Sequence, residues 1–155
     1  MTLLLGLLFS LVAGCVSMPT VEDGSTEMKQ RALSFTPPPD KAGIYAIRPW
    51  HFTWCAMLYE VDLNNQEFGS LMGDSYLYGV IPPGKYVLRY PNNNASGVEF
   101  TAEAGKNYFF TVQRGFTSLP GVDQISESDG KEWVRKFKLS GDNQLDNPSL
   151  TRYPQ

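Results

Sequence analysis

An all-β fold, an antiparallel β-sandwich of about seven strands with a short helix packed on it near the C-terminus, is predicted by three observations. Apolar residues alternate with polar ones over short runs. Turn-forming clusters separate those runs at regular intervals. Near the end of the chain a helix-start signal interrupts the alternation. Composition agrees: aromatic residues make up 13% of the 155 residues, with 14 Gly and 11 Pro, a mixture that suits strands and turns. Length and a hydrophobic content of 42% suffice for one domain with a core.

The strands follow in order. Period-two alternation begins at Lys41, and a first strand is read over 42–49. Further strands are read over 55–62, 66–71, 75–81, 85–91, 97–103 and 107–114. In Lys85-Tyr-Val-Leu-Arg-Tyr90, Tyr86, Leu88 and Tyr90 share one face while Lys85, Val87 and Arg89 share the other. In the stretch from Val98 to Ala104, Val98, Phe100, Ala102 and Ala104 oppose Glu99, Thr101 and Glu103, the pattern of a half-buried antiparallel strand. Reversals fall at Asn64-Asn65, Pro82-Pro83-Gly84, Pro91-Asn92-Asn93-Asn94 and Ala104-Gly105-Lys106-Asn107. At Pro82-Pro83-Gly84, proline presets φ and glycine is expected to take a positive φ. Ser126 with Asp129 outlines a capping box. Trp133 and Phe137, four apart, would form the inner stripe of a helix, with Lys131, Arg135 and Lys138 outside. A strand over 132–139 competes with that helix.

The first fifteen residues, MTLLLGLLFSLVAGC, are apolar and too short to span a bilayer core, which needs about 20 residues. Their length suits a signal-peptide core. The segment closes on Leu11-Val12-Ala13-Gly14-Cys15, which resembles the bacterial lipobox, although Met1-Thr2 supplies no basic residue ahead of it. The resemblance implies a lipoprotein signal peptide over 1–14 and acylation of Cys15. Two or more acyl chains give stable attachment at about 0.8 kcal/mol per buried CH₂. By the same resemblance, Val16 after the cysteine, rather than Asp, points to the outer membrane, with the domain facing the periplasm. Residues 16–39 show no sustained period and end in Pro37-Pro38-Pro39. They read as a flexible tether, including the acidic Glu22, Asp23 and Glu27, followed by a polyproline stub. The β-domain is then expected over 40–139 and a polar tail over 140–155.

Five stretches carry a further pattern: Lys41-Ala-Gly-Ile-Tyr-Ala-Ile-Arg-Pro49 as first strand, Tyr59-Glu-Val-Asp62, Tyr76-Leu-Tyr78, the Pro82-Pro-Gly-Lys-Tyr86 turn and the Ala104-Gly-Lys-Asn-Tyr-Phe109 turn and strand. Together they resemble an uncharacterised family of bacterial lipoproteins. The resemblance covers about residues 37–138, and PEGA-like sandwiches are a looser match. It implies a small β-sandwich lipoprotein with no established chemistry.

Charge and residue count exclude several functions. The net charge is −3 with no basic stripe, so a nucleic-acid partner is not expected. One histidine, His51, and two cysteines leave no metal site built on paired imidazoles or several thiolates, and no disulfide framework. A His51–Cys55 dyad on an extended chain would lie about 13 Å apart, beyond the roughly 3 Å that nucleophile and base need. Asp142-Asn-Gln-Leu-Asp-Asn147 lacks the Gly and Glu of an EF-hand loop. Arg48 is read as a buried charge partner for Asp62 or as a surface residue, with a structural role favoured. No cofactor and no enzymatic activity are expected.

The candidate binding residues are Trp50, His51, Phe52 and Trp54, with Tyr76 and Tyr78 near them. Aromatic faces bind sugar rings, peptide side chains and partner proteins. The competing role for Trp50 and Trp54 is to cap the core. The expected function is a membrane-anchored binding or structural module of the bacterial envelope, with a protein, peptidoglycan or glycan partner. The alternative is a periplasmic inhibitor or accessory subunit of an envelope enzyme or a secretion or transport system.

Overall fold

The computed structural model describes residues 21–49, 57–91, 97–114 and 120–145. Among them are nine strands and two helices: α1 (Thr26–Ser34), β1 (Ala42–Arg48), β2 (Tyr59–Leu63), β3 (Gln66–Leu71), β4 (Ser75–Ile81), β5 (Gly84–Arg89), β6 (Val98–Ala102), β7 (Asn107–Arg114), β8 (Pro120–Gln124), α2 (Glu127–Lys136) and β9 (Lys138–Leu139). The strands form two sheets, ordered β8-β7-β1-β4-β9 and β3-β2-β5-β6. The all-β sandwich class is thus correct, and the short C-terminal helix is present. A second helix and two further strands, β8 and β9, were not expected.

Two hydrophobic layers hold the fold. The main core lies between the sheets and includes Ile44, Ala46, Val61, Leu63, Phe68, Leu77, Leu88, Phe100 and Phe110. The second lies on the other face of the five-stranded sheet, where Tyr45, Ile47, Tyr76, Tyr78 and Phe109 meet Ala32 of α1 and Val134 of α2. Strand β1 sits between the two layers, so every one of its residues is buried. That position also explains a departure from the antiparallel expectation. β1 pairs antiparallel with β4 but parallel with β7. Parallel pairing is typical where both faces are covered, and nothing in a single strand's alternation reports it. β9 likewise runs parallel to β4.

The register builds an aromatic ladder. Tyr45 lies opposite Phe109 on one side and Tyr78 on the other. The Tyr45 and Phe109 rings stack at 4.6 Å, and the Tyr45 and Tyr78 centroids are 4.9 Å apart. Helix α2 approaches this ladder through Gly130. A Cβ there would lie 2.4 Å from the Phe109 ring, so only glycine admits the contact. Its N-terminus is capped as expected, Ser126 Oγ accepting from the Asp129 amide at 3.1 Å. The inner stripe is Gly130 and Val134, however, and Trp133 and Phe137 are only partly buried, their rings stacked at 6.3 Å. Lys131 and Arg135, expected in solvent, reach over the Phe35 ring at 5.3 and 5.1 Å.

Three other expectations need correction. The tether read over 15–39 contains α1 from Thr26, capped by Ser25, whose Oγ accepts from the Met28 amide at 3.2 Å. Met28, Ala32 and Phe35 recur at helical spacing and pack on the ladder, although the helix is polar overall. Over 140–145, the polar tail read over 140–155 packs on the domain. Ser140 and Leu145 are buried, and the Gln144 amide donates to the Phe68 carbonyl at 2.9 Å. This segment crosses β3 at Gly69 (φ 149°), where a Cβ would overlap the Asp142 carbonyl. Finally, Gly84 does not take a positive φ; it opens β5 instead. The Asn64-Asn65 reversal does use the left-handed region at both residues, φ 52° and 63°, as a two-residue hairpin of the I′ kind requires.

Two buried tyrosines on the ladder face differ in one respect. The Tyr45 hydroxyl donates to the Ala32 carbonyl at 2.8 Å. The Tyr76 hydroxyl meets no hydrogen-bond partner among the described residues, and burial pushes its pKa up to about 12. Losing a made bond costs about 1 kcal/mol or more, whereas removing an unpaired buried hydroxyl removes a desolvation cost. Tyr45→Phe is expected to lower unfolding free energy by about 1–2 kcal/mol. Tyr76→Phe is expected to leave it unchanged or raise it, as read by urea denaturation of both variants.

Candidate functional site

Strand directions sort the loops onto two rims. β1 runs from the Ala42–Ile81 pair to the Arg48–Ser75 pair. The Pro82-Pro83 turn, the Asn64-Asn65 reversal and the Gly105-Lys106 turn gather at the first rim, beside Gly43 and Ile81. Four connections root at the second rim. Residues 50–56 leave from Arg48 and Pro49 and return at Met57; residues 72–74 join β3 to β4; residues 92–96 join Pro91 to Gly97 between β5 and β6; and residues 115–119 join Arg114 to Pro120. The candidate residues Trp50, His51, Phe52 and Trp54, together with Cys55, lie outside the described residues, as does Cys15. Their anchoring points are described, and all belong to this second rim.

Arg48 closes that rim. It is only 4% exposed. Its guanidinium donates to the carbonyls of Met57 and, at 3.0 Å, of Leu71, and lies 3.7 Å over the Tyr59 ring. One side chain from β1 thereby ties together the entry to β2 and the exit of β3, which belong to the opposite sheet. The planar fork of arginine suits this double contact, which lysine would not reproduce. The structural reading of Arg48 holds, but Asp62 stands opposite Arg89 in register. Burial raises the Asp62 pKa above its ordinary value, and Arg89 acts in the opposite, lowering direction.

Beside Arg48 a cleft of about 380 Å³ is lined by Val21, Glu22, Asp23, Met72, Gly73, Asp74, Ser75, Lys136 and Lys138, with Leu139 and Ser140 at its base. Ser75 Oγ donates to the Met72 carbonyl at 2.7 Å and accepts from its amide at 3.0 Å, which fixes the 72–74 turn. The N-terminal segment is fastened here. Gly24 donates to the Leu139 carbonyl at 2.9 Å and Gly141 to the Glu22 carbonyl at 2.6 Å, so residues 22–24 extend the sheet beyond β9. The cleft therefore marks where the chain preceding the domain enters it. Sequence reasoning missed this, because two backbone hydrogen bonds leave no side-chain signature.

Tyr76 and Tyr78 face the helices; the aromatic segment they were expected to approach lies outside the described residues. Two motif tyrosines have defined local roles at the first rim. Tyr86 donates to the Pro82 carbonyl at 2.9 Å, and Tyr108 accepts from the Glu103 amide at 3.0 Å. Each closes the turn that precedes its own strand. A second groove, of about 620 Å³, runs beside α1 between Arg31, Pro37, Lys41, Tyr78 and Val80. Among the described residues no group of three His, Cys, Asp or Glu side chains is placed to hold a metal ion.

Replacing Arg48 by Met leaves two carbonyls short of a donor, at a cost of about 2–4 kcal/mol by the penalty for unsatisfied buried groups. Arg48→Met is expected to lower stability by that amount in urea, and Arg48→Lys to recover less than half of it. A second expectation concerns pH. Asp62 and Glu67 bind protons more readily in the folded chain, in both cases chiefly through burial, with Asp142, Glu60 and Asp62 adding to the effect at Glu67. The folded state then holds more protons than the unfolded state at pH just above the ordinary carboxylate values, and stability falls as pH rises through the raised folded values. Relative to an Asp62→Asn, Glu67→Gln variant, the parent chain is expected to gain stability between pH 7 and pH 4.

No curated protein matches the chain. A family model does match, over residues 38–123. That stretch runs from the Pro-rich approach to β1 through most of β8, narrower than the resemblance read over 37–138, and it omits α1, α2 and β9. It takes in both sheets, Arg48 and the two tyrosine-closed turns, and it spans more than half of the chain: the protein belongs to the family described as protein of unknown function (DUF2846).

Proposed function

We propose that the chain is a lipoprotein of the bacterial envelope, anchored through acylated Cys15, whose β-domain acts as a binding or structural module rather than an enzyme. The observation that carries this reading is the apolar run closed by Leu11-Val12-Ala13-Gly14-Cys15. Small residues before the cysteine suit a peptidase that brings backbone close to the cut bond. One feature of the fold supports it. Glu22 and Gly24, a few residues after Cys15 in sequence, are already bonded to Gly141 and Leu139, which suits a folded body hung on a short link. No helix of the described residues is long and apolar enough to cross a membrane. The outer membrane, with the domain in the periplasm, is the location that Val16 favours, and an envelope protein, peptidoglycan or glycan is the class of partner proposed.

The test is chemical. Mass spectrometry of the protein purified from its native membrane is expected to show a chain starting at Cys15 and carrying acyl groups. Cys15→Ser is expected to move the protein from the membrane pellet to the soluble fraction. An unmodified thiol, or unchanged partitioning of the serine variant, would overturn the proposal.

A further inference from the structure

The four-stranded sheet ends on β6, and among the described residues no strand pairs with its outer edge. We propose that this edge is a dimerisation surface: β6 adds antiparallel to β6 of a second copy of the chain, joining two four-stranded sheets into one of eight. The inference goes beyond the module reading above and does not depend on Cys15.

The bonding of β5 shows which groups β6 leaves open. The Val87 carbonyl accepts from the Asn64 amide at 2.9 Å, and the Val87 amide donates to Asn64 Oδ1 at 2.8 Å. Val87 thus faces away from β6. Residues opposite one another in an antiparallel pair either exchange hydrogen bonds or both turn away. Glu99 stands opposite Val87, and Thr101 opposite Lys85, so Glu99 and Thr101 turn their N–H and C=O groups out of the sheet. The next amide of that row, Glu103, already donates to Tyr108 Oη at 3.0 Å. The open stretch of β6 is therefore Glu99 and Thr101.

The other edges are covered or guarded. Residues 22–24 bond to the β9 edge, and Asn143 and Gln144 bond to β3. In β8, Ile125 donates to the Phe109 carbonyl, which turns Val122 and Gln124 outward. Pairing Val122 with Gln124 of a second copy would set the two Asp123 side chains opposite each other, and Pro120 offers no N–H. Charge and proline are the usual guards of an exposed edge.

The β6 edge, by contrast, is complementary to itself. With Phe100 opposite Phe100 of the second copy, Glu99 meets Thr101 on both sides of the two-fold axis, and every open backbone group finds a partner. Moving the second copy by two residues sets Glu99 against Glu99 or against Glu103. Like charges directly opposite are destabilising, so charge selects the one register. On the inner face this register sets Val98 against Ala102. It also carries the row formed by Tyr86 and Phe100, whose rings stack at 5.7 Å, across the join. On the outer face Lys85 shares a row with Thr101. Glu99 of the second copy then stands two strand spacings, about 10 Å, from Lys85, a span that the two extended side chains bridge.

Charge substitution tests the edge on residues 15–155 carrying Cys15→Ser, in reducing buffer. Sedimentation equilibrium up to about 1 mM is expected to show a monomer–dimer equilibrium. Thr101→Lys places opposite charges across the join twice and is expected to tighten association about threefold to tenfold; Thr101→Glu places Glu against Glu and is expected to weaken it by a similar factor. Thr101 is exposed, and equal thermal midpoints of the dilute variants check that the monomer is unchanged. Amide exchange read by NMR is expected to slow at least about threefold at Glu99 and Thr101 from dilute to concentrated protein, and to stay constant at Val122 and Gln124. A chain that stays monomeric throughout that range would overturn the proposal. So would a dimer indifferent to both substitutions, or protection of β8 in place of β6.

Discussion

The Tyr45 ring is where the layers of this molecule are joined. It belongs to a strand with no solvent-facing side, it stacks on Phe109 across a parallel pairing, and it meets Tyr78 across an antiparallel one. Its hydroxyl then reaches out of the sheet to satisfy a carbonyl of α1. A buried hydroxyl is tolerable only when it finds a partner, so the position of α1 and the identity of residue 45 constrain each other. Burial, with Tyr78 and Tyr76 nearby, pushes the phenol well above its ordinary range, so the ring stays neutral. With β1 fixed in this way, a one-residue slip of β4 or β7 would turn their aromatic residues away from the helix side and Leu77, Phe110 and Val112 away from the inter-sheet side.

Arg48, three residues further along β1, performs the complementary task between the sheets. A charged group this buried is costly unless its donors are used. Here carbonyls from the entry to β2 and the exit of β3 use them, and Tyr59 offers its ring face. The result is a rim held by a polar clasp at one end of the sandwich and tyrosine-closed turns at the other. The family-matched stretch contains both devices, while the helices that cover the ladder lie outside it. The covering layer is thus supplied by the segments on either side of the family unit. Those segments also meet one another, through the bridge between Asp23 and Ser140, which ties the route into the domain to the route out of it.

Much of the strand plan was legible because alternation is a local property. The runs 66–71, 75–81 and 107–114 match β3, β4 and β7 residue for residue, and Ser126 announced α2. Helix α1 was hidden by its polarity. Only Met28, Ala32 and Phe35 touch the core, and three apolar positions beside Ser, Thr and Glu look like a solvated link. The segment 140–145 was hidden for a related reason, since its attachment runs through backbone groups and through Asn143, which donates to the Tyr78 carbonyl. The aromatic candidates Trp50, His51, Phe52 and Trp54 were picked by composition, and the fold supplies the rim on which they are rooted.

By itself the sequence determined that this chain is a β-sandwich, where most strands begin and end, which residues form its turns, and that Cys15 closes an apolar run. These follow from side-chain period, turn chemistry and residue identity, each readable within a few positions. Only the tertiary structure decided that β1 lies between two cores, that β7 runs parallel to it, that Arg48 clasps the opposite sheet and that both ends of the family unit fold back as a cover. Those features are pairings between residues far apart in the chain. Their free energy comes from burial and hydrogen bonds that exist only once the distant partner has arrived.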